Sequence, residues 1–297
     1  MNCSQQKNPG TGQRTESIRA SGGIRRGTTE LAFTFTELLV VIGTLLVLAA
    51  TLATALASTR PNSLTFRCLN NLRQLGLGWR MYSEDYQGWL VYNHDGQTGK
   101  DFDHSSWAGG WLDDTTSSDN TNTDLLINHT RYRYSAYFGP YLKTASVFKC
   151  PADRSTVRVI GGGERVPRVR TVSMNGVMGQ GGETPAGQNS LYATYTKANQ
   201  LGAPAKLFVM LDEREDSIND AFFWIDTDRR FWIIDFPASY HDGGGNFVFG
   251  DGHGETHLWT DPRTTPPIQS GPFLYLNLSI PGDLDIDWLQ QHASERR

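Results

Sequence analysis

The chain has 297 residues, enough for one sizeable domain or two small ones, and its 38% hydrophobic and 20% charged residues fit a protein that folds. A net charge of −4 gives no electrostatic case for a nucleic-acid partner. The charge is uneven: residues 1–32 hold Lys7, Arg14, Arg19, Arg25 and Arg26 against Glu16 and Glu30, a net of +3, so the rest carries −7.

Behind the basic head, Leu38 to Ala57 contains no charge. Twenty helical residues at about 1.5 Å each reach roughly 30 Å, one hydrocarbon thickness. The segment is therefore predicted to cross the inner membrane once, with Arg25 and Arg26 on the cytoplasmic side and the large C-terminal part outside. Three readings fit this region. One is a plain anchor. Another is a cleaved secretory signal, since Ala55-Leu56-Ala57 before Ser58 has the small-x-small pattern. The third turns on Glu37, a single carboxylate at the threshold of the apolar run. Such a charge costs a few kcal/mol near the bilayer centre and less at its edge, and neither of the first two readings gains from it.

Residues Ala32, Phe33, Thr34, Phe35, Thr36, Glu37, Leu38, Leu39, Val40, Val41 and Ile42 resemble a type IV prepilin-like signal position by position. The departures are Ala32, where the family usually has glycine, and Gly43 early in the helix. The resemblance implies that a prepilin peptidase cuts between Ala32 and Phe33 and that Phe33 is N-methylated. It also implies that Glu37 pairs with the new terminal ammonium of a neighbouring subunit, which offsets the cost of two buried charges. The chain then divides into a leader (1–32), a transmembrane half-helix (33–58), a soluble half-helix (59–87) and a globular head (88–297). Removing the leader discards Cys3 and leaves Cys68 and Cys150 on the non-cytoplasmic side. They either form a disulfide or stay as two buried free thiols.

Arg60-Pro61-Asn62-Ser63 should break the first helix, with Ser63 capping the next. Leu64, Cys68, Leu69, Leu72, Leu75, Trp79 and Tyr82 form one stripe of a 3.6-residue period, and Arg67, Asn70, Asn71, Arg73, Gln74 and Arg80 take the other face. This helix should lie on a sheet and end by Gly88. Residues 88–122 are loop-like, with short candidate elements at 132–142 and around Val147-Phe148. Lys206 to Leu211 reads as a buried strand. Ala221–Ile225 and Phe231–Ile234 read as paired strands joined through residues 226–230.

Asn246 to Gly250 and His253 to Trp259 read as a hairpin joined by a two-residue type I′ turn at Asp251-Gly252. In that register Phe249 faces Gly254 and Phe247 faces Thr256. His241, nine residues, then Asp251-Gly252 resembles the H-x9-DG pattern of a prepilin-processing-associated C-terminal domain. Cys68-Leu69-Asn70-Asn71-Leu72, Lys149-Cys150-Pro151, Ser173-Met174-Asn175-Gly176 and Asp212-Glu213 resemble further pieces of the same group of pilin-like proteins.

Two metal readings arise in the head. His241, Asp242, Asp251, His253, Glu255 and His257 could offer ligands to zinc. Strand spacing limits a single ion to His253 with Glu255 or Glu255 with His257; otherwise Asp251 simply makes the turn. The acidic stretch Asp212, Glu213, Glu215, Asp216 and Asp220 could hold calcium with loop oxygens, as many of the similar major pseudopilins do, or be a solvated loop. No nucleophile elbow, P-loop or Cys-His catalytic pattern is present, so no catalytic residue is assigned.

The expectation is an α+β protein: a long pilin-type transmembrane helix packed on an antiparallel β-sheet head. The implied function is structural, as a subunit of a pilin-like filament or type II secretion pseudopilus. Its implied partners are the prepilin peptidase, other pilin or pseudopilin subunits and an inner-membrane assembly platform, with the head periplasmic or extracellular. The alternative is a tethered adhesin-like binding or enzymatic domain that uses the same signal.

Overall fold

The computed structural model describes residues 34–58, 64–94, 106–113, 115–159, 163–179, 191–269 and 277–297, with side chains of the first helix described to Thr51. Ala32, Phe33, the leader and the break expected at residues 60–63 lie outside the described residues. The chain divides into two units, Met1–Thr59 and Arg60–Arg297.

The first unit contains helix α1 (Phe35–Ser58). Thr34 and Glu37 close its N-terminus reciprocally. The Thr34 backbone N–H and hydroxyl each donate to Glu37 Oε2 at 2.8 Å, and the Glu37 N–H donates to Thr34 Oγ1 at 3.3 Å. This capping box satisfies backbone donors that the first turn leaves without helical acceptors. Among the described residues, no helix is long and apolar enough to cross a membrane. This overturns the single-pass inner-membrane placement and the transmembrane half of a long pilin-type helix.

The second unit begins with α2 (Leu64–Asp85), which buries Cys68, Leu72, Leu75, Gly76, Gly78, Trp79, Tyr82 and Ser83. The predicted stripe is correct apart from Leu64, which is exposed, and Leu69, which is half-buried. The chain leaves the helix through Gln87 and Gly88, both at positive φ, and the Gly88 N–H returns to the Ser83 carbonyl. A short helix α3 (Asp124–Ile127) and irregular loops follow.

Strands β1 (Thr156–Arg158) and β2 (Arg165–Pro167) pair as a hairpin of their own. The main sheet is built from β3 (Val172–Asn175), β4 (Phe208–Asp212), β5 (Phe222–Phe223), β7 (Gly244–Phe249) and β8 (Gly254–Leu258), in the order β5-β3-β4-β7-β8. β5 pairs parallel to β3, so the sheet is mixed and not antiparallel throughout. β6 (Trp232–Ile233) pairs with β9 (Leu278–Ser279) in a separate two-stranded sheet. The segments expected to pair with each other, 221–225 and 231–234, thus join different sheets. Helix α4 (Leu284–Ala293) closes the fold, capped by the Asp283 carboxylate, which accepts from the Asp285 and Ile286 N–H groups.

Both faces of the sheet are covered, which explains the continuous burial of β3, β4 and β7. Val248, Met210 and Val209 share a cluster with Leu72, Leu75 and Trp79 of α2. Phe247 and Phe249 share another with Phe208, Leu211, Ile286 and Leu289, on the α4 side. A register irregularity between Phe208 and Met210 lets Phe208 and Leu211 serve the same layer. Helix α2 can come close because Gly76 has no side chain: a Cβ there would lie 2.7 Å from Val248 Cγ2.

The 244–258 hairpin forms one residue out of the expected register. Phe247 faces Glu255 and Val248 faces Gly254. Its loop has three residues, Gly250, Asp251 and Gly252, and of these only Gly252 has positive φ. A two-residue I′ turn needs positive φ at both central positions. Phe249 consequently sits beside His253, their rings stacked 4.4 Å apart.

Candidate metal centre

Four segments distant in sequence converge at the α2 side of the sheet. Cys68 stands one turn into α2, held there by the apolar stripe on either side of it. Cys150 follows a 3-10 turn, Ala145–Phe148, whose Val147 and Phe148 anchor it in the core. The Cys150 N–H donates to Thr171 Oγ1 at 2.7 Å, and Asn71 Nδ2 on α2 donates to the Lys149 carbonyl at 3.2 Å. Asp212 ends the fully buried strand β4. His241 precedes β7 across a tight turn in which Asp242 and Gly243 have φ of 53° and 86°. The His241 N–H donates to the Gly244 carbonyl and the Gly244 N–H to the His241 carbonyl. The left-handed pair expected at Asp251-Gly252 is thus found at Asp242-Gly243, where it aims the His241 ring.

The four side-chain donor atoms lie within 4.8 Å of one another, and the group is the one set of His, Cys, Asp and Glu among the described residues so arranged. The Cys68 thiol donates to Asp212 Oδ2 at 2.7 Å. Cys150 Sγ lies 3.3 Å from His241 Nε2, and His241 Nε2 lies 3.5 Å from Asp212 Oδ2. All four residues are at most 3% exposed. Asp212 Oδ1 and His241 Nδ1 are buried without a hydrogen-bond partner.

The electrostatics follow from this packing. Burial pushes the Cys68 thiol well above its ordinary value, helped by Cys150 and the Asp212 carboxylate. The hydrogen bond from Cys68 draws Cys150 down to about 7, against burial and with help from His241. Burial alone would lower His241, but its contacts with Asp212 and Cys150 raise it to about 9. Burial raises Asp212, opposed by His241 and Cys68. The set supplies two sulfurs, one imidazole nitrogen and one carboxylate oxygen, a combination suited to a soft or borderline cation.

The sequence had placed these residues in three different roles. The structure brings Cys68 and Cys150 together, but both are free cysteines, so the disulfide is not formed. The calcium set is dispersed. Asp212 faces the thiols, while Glu213 turns the other way and accepts from Ser173 Oγ at 2.6 Å and Ser217 Oγ at 2.7 Å. Asp216 pairs with the Arg214 guanidinium and Asp220 accepts from the Phe222 N–H. The zinc set expected around the hairpin is divided too. Asp251 holds His253, Nδ1 to Oδ1 at 2.6 Å, while His257 stacks on Trp288 at 3.8 Å; His241 belongs to the buried centre. The signal for the true grouping lay in the motif fragments themselves, since Cys68, Cys150, Asp212 and His241 each fall in a different one.

No curated protein and no solved structure matches the chain. The model of the family described as "Protein of unknown function (DUF1559)" matches residues 65–216, and so covers Cys68, Cys150 and Asp212, with His241 beyond it. With just over half of its length inside that match, the chain belongs to the DUF1559 family.

Proposed function

We propose that the chain is a structural subunit of a pilin-like or type II secretion pseudopilin-like filament, processed by a prepilin peptidase between Ala32 and Phe33 and assembled through α1. The observation that carries this reading is α1 itself. Ten large apolar side chains, from Phe35 through Leu48, stand exposed on it, and Glu37 is the one charged residue in the helix. A contiguous apolar surface of that kind is a surface for partners. DUF1559 is a family often found in prepilin-like bacterial proteins, which favours a filament as the setting. The work of the chain is then assembly.

The test is N-terminal sequencing and mass measurement of the mature chain from its native source. The expected first residue is Phe33, carrying a methyl group on its amine. A chain that begins at Ser58 was processed as a secretory protein, and one that retains Met1 was not processed at all. Either result sinks the proposal.

A further inference from the structure

We propose that Cys68, Cys150, Asp212 and His241 bind one zinc ion in a closed, four-ligand structural site that fastens α2 to the sheet. The inference does not depend on the filament reading, because it rests on the interior of the second unit alone.

Geometry comes first. Zinc takes sulfur at about 2.3 Å and nitrogen or oxygen at about 2.0–2.2 Å, so the edges of its coordination tetrahedron run from about 3.3 to 3.8 Å. The Cys150–His241 and His241–Asp212 separations, 3.3 and 3.5 Å, already fall in that range. Cys68 and Asp212 are closer, at 2.7 Å, because a thiol proton lies between them. No separation exceeds 4.8 Å, so loss of that proton and shifts of about 1 Å would complete the tetrahedron.

Burial and hydrogen bonding point the same way. Asp212 is 0% exposed, and its Oδ1 has no donor. A buried carboxylate costs several kcal/mol unless its charge and both its oxygens find partners. Here a thiol bond to Oδ2 and a histidine at 3.5 Å are the compensation on hand. A divalent cation supplies the rest. Cys150 is prepared for thiolate: the Ala152 N–H points at its sulfur at 3.4 Å. The site is buried and supplies four protein ligands. That is the pattern of a structural zinc site, since a catalytic one keeps a position open.

Ligand chemistry selects the ion. Two thiolates and an imidazole disfavour magnesium and calcium, which take oxygen, and favour zinc. The binding step balances simply. Zn2+ enters, Cys68 and Cys150 bind as thiolates, His241 as neutral imidazole and Asp212 as carboxylate, and the protons held by the sulfurs and by His241 Nε2 leave to solvent. The centre ends with a net charge of −1, and no oxidant or reductant takes part.

The experiment uses the full chain, purified under reducing conditions without chelator. Elemental analysis should find about one zinc per chain. Exchange with cobalt should give an intense thiolate-to-cobalt charge-transfer band. Chelation should lower the thermal midpoint by about 10 °C, and added zinc should restore it. Cys68→Ser with Cys150→Ser should abolish the metal and the band, whereas His253→Ala with His257→Ala should leave both unchanged. Absence of stoichiometric zinc after reconstitution overturns the proposal. So does zinc that survives the cysteine changes but leaves with His253 and His257, or a Cys68–Cys150 disulfide in the native chain. If the cysteine variant fails to fold, the cobalt spectrum of the unmodified chain decides: a spectrum without the thiolate band overturns the proposal.

Discussion

Glu37 occupies the third position of α1, where it accepts from the backbone and hydroxyl of Thr34. A capping interaction of this kind is worth about 1 kcal/mol. The residue therefore has a local task as well as the inter-subunit pairing proposed for it, and a simple alanine substitution would confound the two. Glutamine separates them. It keeps the acceptor that a capping box requires but removes the charge. If Glu37 pairs with a neighbour's terminal ammonium, Glu37→Gln should keep α1 helical by circular dichroism and reduce the sheared-filament fraction about tenfold, the equivalent of about 1.4 kcal/mol. Assembly of Glu37→Gln at the level of the unmodified chain would leave capping as the sole role. The Thr34-x-x-Glu37 spacing of a capping box stands in the sequence. A carboxylate that looked anomalous against an apolar run is ordinary against a helix N-terminus.

At the scale of elements, α2 was legible because its partner is a flat apolar face and its own periodicity reports which side meets it. Leu72, Leu75, Trp79 and Tyr82 were read from spacing and are all buried. The β-hairpin was legible in position but not in register. Residues 241–258 contain two Asp-Gly pairs, and the local signal for a I′ turn fits both; only the backbone shows that Asp242-Gly243 adopts it. The partners of β5 and β6 were not legible, because pairing to β3 and β9 is set by contacts far along the chain. Gly76 was read neither way, yet it sets the distance from α2 to β7. A glycine within a helix is worth about 1 kcal/mol less than alanine, so Gly76→Ala would stabilise the helix if space allowed. The added Cβ would lie 2.7 Å from Val248 Cγ2, on a residue that is 0% exposed and closely packed. Overpacking of this kind costs about 1–3 kcal/mol, which exceeds the propensity gain. Gly76→Ala should therefore lower stability in denaturant titration. Adding Val248→Ala should cost less in the Gly76→Ala background than alone, a coupling of opposite sign to simple addition. A Gly76→Ala chain as stable as the unmodified one would show that the layer has slack.

Across the whole molecule, the buried centre was not legible from local spacing, for a geometric reason. Cys68, Cys150, Asp212 and His241 come from a helix, a loop, a strand end and a turn, and nothing periodic links them. Each alone had a plausible local role, and only the folded sheet with α2 upon it gives them a common one. The division into two units raises a parallel question about where stability and association reside. Both apolar clusters are made of residues from the second unit, and α4 and the sheet that build them lie within it. The first unit contributes ten exposed large apolar side chains instead. If burying the exposed part of each against a neighbour yields about 1 kcal/mol, the helix offers roughly 10 kcal/mol. Association costs about 4–15 kcal/mol in lost freedom. One partner helix, covering one side, offers only about 5 kcal/mol, at the low end of that range, whereas a bundle covering all sides offers about twice as much. Residues 60–297 expressed alone should accordingly unfold cooperatively within about 3 °C of the full chain, a difference under about 1 kcal/mol for a unit of this size. They should also sediment as a monomer at concentrations where the full chain forms large assemblies. A head that unfolds many degrees earlier would place part of its stability in the first unit. A head that assembles as readily as the full chain would move the association surface away from α1, and with it the basis for reading the chain as a filament subunit.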